Sequence, residues 1–87
     1  MLEVVNARHE GGYCVWVQFN DGESGVVDLF DALWGPMFDS LRDVEQFRRF
    51  AVSDVLHTLA WDNGADLAPE YLRDKLLHQK TASPTNG

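Results

Sequence analysis

The chain has 87 residues, of which 14 are acidic and seven basic, so its net charge is −7 at neutral pH. This charge argues against direct binding to nucleic acid, because it repels phosphates and removes the counterion release that drives such binding. The 45% hydrophobic content predicts a folded domain. A domain of this size buries only about 60–65% of its unfolded surface, which leaves little room for a deep catalytic cleft.

The first 28 residues predict a three-stranded antiparallel meander. Gly11-Gly12 suits a tight hairpin between two strands, and Asp21-Gly22 offers a second turn before the strand "GVVDL". In the second strand, alternation places on one face Tyr13, Val15, Val17 and Phe19, and on the other Cys14, Trp16 and Gln18. This pattern is typical of a strand buried on one face.

Two helices are predicted to follow the meander. Asp28 precedes "LFDALW" and can cap a short helix, which Gly35-Pro36 ends. The run "DSLRDVEQFRRFAV" carries apolar residues near helical spacing, and either Ser40 or Asp43 can be its cap. We expect this second helix to lay its apolar stripe on the sheet.

The C-terminal part predicts a strand, a turn and a last helix. "VLHTLAW" is strand-like, and Asn63-Gly64 is a strong hairpin signal. Pro69 suits the first position of the helix "PEYLRDKLLH", with Leu72 and Leu76 on its inner face. We therefore expect a single α+β domain over residues 1–78, with an antiparallel sheet packed against two or three short helices, and a disordered polar tail over residues 79–87.

The single cysteine, Cys14, cannot form an intramolecular disulfide, and its apolar neighbours predict a buried, unreactive side chain. The N-terminal residues show no secretory signal, and no window approaches the roughly 18 apolar residues of a membrane span. We therefore expect a cytoplasmic protein without membrane contact.

The sequence shows no recognisable catalytic or cofactor-binding pattern. The serines lack a nucleophile-elbow context, the glycine pairs lack a phosphate-loop lysine, and the three histidines have no ligand spacing. Asp62, Asp66 and Glu70 suggest a metal site, but "DNGAD" lacks the spacing of a calcium loop. We expect Asp62 and Asp66 to accept hydrogen bonds from backbone N–H groups of the turn and the helix start, and we assign no catalytic residue, cofactor or metal.

Three tryptophans are difficult to bury completely in so small a domain. They are Trp16, Trp34 and Trp61. We therefore expect one of the three to be exposed. Because indole rings are frequent in protein interfaces, we expect this exposed ring to mark a contact surface.

Several stretches resemble the family of small bacterial domains catalogued as domain of unknown function 2442. They are "VWVQFNDGESGVVDLFDAL", "FDSLRDVEQFRRFAV" and "TLAWDNGADLAPEYL". The most specific piece is "WDNGADLAPEYL", which matches the family's W-x-N-G-A-D-x-x-P-x-x-L ending, with Asp62 where the family very often has proline.

The resemblance implies an α+β fold with an antiparallel sheet and no established enzymatic activity. It also implies a gene arrangement like that of toxin–antitoxin pairs. Some members of the family carry a helix-turn-helix domain after this one, and we expect the present chain to lack it.

We therefore expect a non-catalytic protein-interaction module, antitoxin-like in a two-protein bacterial system, whose partner is a small basic protein encoded nearby. The candidate partner-binding residues are Trp61, Asp62, Asn63, Asp66 and Trp16. One alternative is a small enzyme or metal-binding domain that uses Asp62, Asp66 and Glu70. Another is a structural homodimer that pairs through an uncovered sheet edge or an aromatic patch.

Overall fold

The computed structural model describes the backbone of residues 1–82 and the side chains of residues 1–79. The strands are β1 (Val4–His9), β2 (Cys14–Phe19), β3 (Ser24–Asp28), β4 (Ala51–Val52), β5 (Leu59–Ala60) and β6 (Asp66–Leu67). The α-helices are α1 (Val44–Phe47) and α2 (Pro69–Ala82), and short 3-10 helices cover Phe30–Ala32 and Asp39–Arg42. The predicted α+β class is confirmed.

The first sheet is the predicted meander, with strand order β1-β2-β3 and antiparallel pairing throughout. The alternation predicted for β2 is confirmed, because Val15, Val17 and Phe19 are fully buried while the residues between them are only half-buried. On the outer face, Trp16 lies opposite Arg8 of β1 and Val26 of β3. One face of this sheet therefore supplies core residues, and the other presents a mixed polar and apolar surface.

The second sheet, β4-β5-β6, is made of two-residue strands, and the strand predicted over "VLHTLAW" is mostly wrong. Only its Leu59–Ala60 part is extended. Residues 53–57 form a turn instead, in which the Ser53 hydroxyl accepts hydrogen bonds from the backbone N–H groups of Val55 and Leu56 at 3.2 and 3.0 Å. This local bonding outweighs the strand propensity of the apolar residues, which the turn leaves exposed.

The single helix predicted over "DSLRDVEQFRRFAV" is also wrong. The run is divided into a 3-10 helix and the short helix α1 by Asp43, which is extended with φ −77° and ψ 116°. The Asp43 carboxylate accepts a hydrogen bond from the Glu45 N–H at 3.1 Å, so Asp43 caps α1. Of the two predicted cap positions, Ser40 and Asp43, the second is therefore confirmed. Ala51, predicted to continue the helix, lies in β4 instead.

Asp28, which precedes "LFDALW", bonds the backbone at the start of that run, as the sequence predicts. Asp28 Oδ1 accepts a hydrogen bond from the Phe30 N–H at 3.0 Å. The helix that follows is a single 3-10 turn, and Gly35 beyond it has a φ of +87°. Glycine adopts this conformation at little cost, so the chain reverses there.

The core lies between the inner face of the first sheet, the second sheet and α2. Its buried hydrophobic members are Val4, Val15, Val17, Phe19, Val27, Leu29, Leu33, Leu41, Phe47, Leu59, Trp61, Ala65, Leu67, Leu72 and Leu76. The predicted inner face of α2 is confirmed by the burial of Leu72 and Leu76. Leu76 packs directly on Gly25 of β3, where a Cβ atom would lie 2.6 Å from Leu76 Cδ1.

Helix α2 begins at Pro69, as predicted, but ends at Ala82 and not at His78. Residues 79–82 of the predicted tail are therefore helical, and residues 83–87 lie outside the described residues. The extension has a structural use, because the Gln79 side-chain amide accepts from the Asp28 N–H at 2.9 Å and donates to the Asp28 carbonyl at 3.1 Å. Gln79 thus occupies the backbone groups of Asp28, at the end of β3, which would otherwise be open to another strand.

An arginine clamp ties α2 to the β2–β3 turn. The Arg73 guanidinium lies over the Phe19 ring, 4.6 Å from its centroid, and Nη2 lies 2.7 Å from each carboxylate oxygen of Asp21. The hydrogen bond from Arg73 is the main cause that holds the pKa of Asp21 below its usual value. Aromatic face, guanidinium and carboxylate thus form one unit.

Candidate functional site

The β5–β6 hairpin carries four of the five candidate partner-binding residues. The predicted turn at Asn63-Gly64 is confirmed, since the Trp61 N–H donates to the Ala65 carbonyl at 2.9 Å and Gly64 has a φ of +95°. Asn63 accepts from the Ala65 N–H at 3.0 Å and donates through Nδ2 to the Met37 carbonyl at 2.9 Å. Asn63 therefore both builds the turn and fixes it to the loop after the first 3-10 helix.

Trp61 is a core residue. Only 6% of its surface is exposed, and its indole Nε1 donates a hydrogen bond to the Phe47 carbonyl at 2.8 Å. Its ring packs among the rings of Phe38, Phe47 and Phe50, with centroid distances of 5.8 to 6.3 Å. Trp61 therefore offers almost no surface to a partner.

The acidic residues of the turn are exposed and do not have the predicted backbone role. Asn63, and not Asp62 or Asp66, accepts the hydrogen bond from the turn N–H. Among the described residues, no group of three or more His, Cys, Asp or Glu side chains is arranged to hold a metal ion. Asp62, Asp66 and Glu70 instead contribute negative charge to the exposed surface.

A small cavity of about 120 Å³ lies against the turn. It is lined by Ser40, Leu41, Gln46, Arg49, Trp61, Asp62 and Asn63. Sites for small-molecule ligands usually enclose about 300–1,000 Å³. This cavity is well below that range.

Trp16, the fifth candidate, is half-buried on the outer face of the first sheet. The Arg8 guanidinium lies 4.7 Å from the centroid of its ring. Arg8 is also held by Glu10, whose Oε2 is 2.8 Å from Arg8 Nε. One face of the Trp16 indole is therefore already engaged within the chain.

Trp34 is the exposed tryptophan. The prediction that one indole is exposed is confirmed, with 68% of the Trp34 surface accessible. Its Nε1 donates to the Asp31 carbonyl at 2.7 Å, which fixes the ring while leaving its faces open. Phe30, 52% exposed, lies on the same side and packs its ring against Tyr13 at a centroid distance of 5.1 Å. Trp34 is not among the candidate partner-binding residues predicted from the sequence.

Trp34 lines a shallow cleft of about 280 Å³ together with Phe30, Asp31 and Arg42. We name these four residues the Trp34 surface. The Asp31 side chain is 84% exposed, and Lys75 Nζ lies 3.9 Å from its Oδ2, beyond hydrogen-bond distance. Arg42 is held by the protein itself, because its Nε donates to the Leu33 carbonyl at 2.7 Å and its Nη1 lies 4.0 Å from Asp39.

The sequence predicts Cys14 to be buried in the core, and this prediction is wrong. Cys14 is half-buried on the outer face of β2. Partial burial, with the nearby Asp28 carboxylate as a second cause, raises the pKa of the Cys14 thiol. A raised pKa disfavours the thiolate, which is the reactive form. This part of the prediction, an unreactive side chain, is therefore consistent with the surroundings of Cys14.

None of the helices in the described part of the chain has the length and apolar composition that a membrane span requires. The chain has no significant match among curated proteins or among solved structures. The family model described as "Protein of unknown function (DUF2442)" matches residues 4–77, which cover both sheets and most of α2. The chain therefore belongs to the DUF2442 family of proteins of unknown function.

Proposed function

We propose that this protein is a non-catalytic protein-interaction module whose contact surface is the Trp34 surface. The observation that carries the proposal is a tryptophan that is 68% exposed and nevertheless held in one orientation by its hydrogen bond to the Asp31 carbonyl. Tryptophan is among the residues that contribute most to binding energy in interfaces, and a fixed ring loses little conformational entropy on binding.

Two features of the rest of the molecule support this proposal. The cavity beside Trp61 is well below the size of usual small-molecule sites, and the cleft beside Trp34 is shallow and lies near the lower end of that range. The net charge of −7 also favours association with a basic protein through electrostatic steering. These features favour a partner that covers a surface over a substrate that fills a pocket.

We further propose that the protein has an antitoxin-like role in a two-protein bacterial system in the cytoplasm. This role depends on the gene arrangement that the resemblance implies, with a partner encoded nearby. The presence of only one cysteine agrees with a reducing compartment, because proteins of oxidising compartments more often contain disulfides.

A quantitative pull-down tests the proposal. Tagged wild-type protein, the variant Trp34→Ala and the control Val55→Ala are used with a lysate of the source organism and with the purified product of the adjacent gene. Val55 is a matched control because it is an exposed apolar residue outside the Trp34 surface. We expect at least one protein to be retained by the wild type and by Val55→Ala and lost with Trp34→Ala.

Equal recovery of every protein by the wild type and by Trp34→Ala, with both folded, contradicts the proposal. If the adjacent gene product and this protein are each recovered alone at physiological salt, the antitoxin-like role is wrong.

A further inference from the structure

We infer that the Trp34 surface receives a basic side chain of the partner, an arginine in particular, whose guanidinium stacks on the Trp34 indole beside the Asp31 carboxylate. The inference rests on the proposed function and deepens it by giving the chemistry of the partner. It depends on two properties of the cleft, its aromatic rings and the exposed carboxylate of Asp31. It also depends on a similar arrangement elsewhere in the chain, the clamp at Arg73.

The aromatic rings of the cleft are available to a cation. The Trp34 Nε1–H is already bonded to the Asp31 carbonyl, so the open part of the indole is its apolar, electron-rich face. Among the described residues, guanidinium groups lie over the rings of Trp16 and Phe19, but none lies over Trp34. An arginine from outside can therefore stack on the Trp34 face without displacing one of the chain's own.

The most exposed charge at the cleft is the Asp31 carboxylate. The Asp31 side chain is 84% exposed, whereas its nearest cation, Lys75, is 17% exposed and 3.9 Å away. Arg42, the other cation at the cleft, is 52% exposed, but its Nε is bonded to the Leu33 carbonyl and its Nη1 lies 4.0 Å from Asp39. Asp31 is therefore the more exposed of the two charges and the one less engaged within the chain.

The clamp at Arg73 provides an internal example of the inferred contact. There a guanidinium lies 4.6 Å from the centroid of the Phe19 ring and 2.7 Å from both carboxylate oxygens of Asp21, two residues along the chain. At the cleft, a ring and a carboxylate again lie close in sequence, at Trp34 and Asp31. The same chemistry that holds α2 in place can therefore hold a guanidinium from outside.

The charge of the chain favours a basic partner over a second copy of the protein. Two copies that meet at this surface each carry −7, and their repulsion opposes association. A basic partner is attracted by the same field. An arginine is also better suited than a lysine, because its planar guanidinium can stack on a ring while it pairs with a carboxylate.

NMR titrations with short peptides test the inference. The probes are Ac-Leu-Arg-Leu-NH2, its neutral isostere with citrulline, and Ac-Leu-Glu-Leu-NH2, each added to the uniformly 15N-labelled protein. The backbone amide resonances of Phe30 and Asp31 report binding in the wild type and in every variant. The indole Nε1–H resonance of Trp34 is assigned by its loss in Trp34→Phe.

We expect the arginine peptide to bind about 2- to 5-fold more tightly than the citrulline peptide, the gain typical of an exposed cation–π contact. Asp31→Asn should weaken binding of the arginine peptide by about 1.5- to 5-fold, as for an exposed ion pair. Asp54→Asn removes the same charge from an exposed turn residue outside the cleft and should leave the affinity nearly unchanged. Trp34→Ala should abolish the preference for arginine over citrulline.

Equal affinities for the arginine and citrulline peptides overturn the inference, and so do equal effects of Asp31→Asn and Asp54→Asn. Tighter binding of the glutamate peptide, or concentration-dependent shifts at the cleft without peptide, would identify an acidic partner or a second copy instead. A Trp34-dependent partner in the pull-down without an arginine preference leaves the interaction module supported and this inference refuted. An arginine preference without such a partner refutes the proposed function.

Discussion

Replacing Trp61 by phenylalanine tests whether Trp61 is a core residue and Trp34 a surface residue, a difference that the sequence alone does not show. The smaller ring keeps an aromatic contact within the cluster of Phe38, Phe47 and Phe50. It removes the indole N–H that donates to the Phe47 carbonyl at 2.8 Å, in a part of the protein where Trp61 is only 6% exposed. The carbonyl is then left without its buried partner.

The expected loss of stability follows from two effects. An unsatisfied buried polar group costs about 1–3 kcal/mol. The volume vacated by the indole adds about 1 kcal/mol, since the surrounding aromatic rings relax only partially. We therefore expect Trp61→Phe to lower the free energy of unfolding by about 2–4 kcal/mol, a large part of the roughly 4–13 kcal/mol expected for a domain of this length.

Urea denaturation followed by far-UV circular dichroism measures this effect, with Trp34→Phe as the matched control. Trp34 makes its hydrogen bond at an exposed position, so we expect the control to change stability by less than about 1 kcal/mol. A Trp61→Phe variant within about 0.5 kcal/mol of the wild type, or equal losses in the two variants, would refute the assignment of Trp61 to the core and Trp34 to the surface.

Two contacts of α2 with the first sheet and the β5–β6 turn can each be tested by a single substitution. Because Arg73 lowers the pKa of Asp21, the native state favours the ionised carboxylate. Asp21→Asn should therefore be less stable than the wild type at neutral pH. This difference should vanish as the pH falls through the native pKa of Asp21, below about 3.9. Urea titrations of both proteins across this pH range check the sign, and a loss that grows on acidification contradicts it. Gln79→Ala should speed hydrogen exchange of the Asp28 amide with little change in global stability, and unchanged exchange would show that Gln79 does not protect the β3 edge. Gly64→Ala should cost about 1–2 kcal/mol in chemical denaturation because Gly64 has a φ of +95°, and a neutral effect would mean that the turn rearranges freely.

The parts of the fold that the sequence predicts correctly are those set by local chemistry. The alternation of β2 predicts which side chains are buried because successive residues of a strand point to opposite faces. The turn at Asn63-Gly64 and the helix start at Pro69 depend on the backbone preferences of those residues. Neighbouring parts of the chain do not override these preferences.

The incorrect predictions arise where a polar side chain interrupts an apolar pattern. Asp43 caps α1 from within a run that has helical periodicity, and its extended backbone divides that run. Ser53 likewise closes a turn at the start of a strand-like segment, with His57 at a φ of +56°. Side-chain bonds to nearby backbone groups compete with regular structure, and hydrophobic periodicity does not register them.

The sequence predicts an exposed tryptophan but not which one. Trp61 packs among aromatic rings, and Phe47, 14 residues earlier, supplies its hydrogen-bond acceptor; these long-range contacts leave no local pattern. Trp34 finds its acceptor only three residues earlier, at Asp31, and stands directly before the Gly35-Pro36 break. That position was an available signal, because an aromatic residue at the end of a one-turn helix has few neighbours to cover it.

Site-specific photo-crosslinking in living cells tests most directly whether the protein binds a partner through the Trp34 surface. Benzoylphenylalanine is introduced in place of Phe30, a conservative change within the cleft, or in place of Val55, an exposed residue outside it. We predict a discrete covalent adduct with another protein from position 30 that is absent from position 55 and disappears when Trp34→Ala is added. Adducts of equal yield from both positions, or none from position 30 in cells that express the protein at its natural level, would contradict this account.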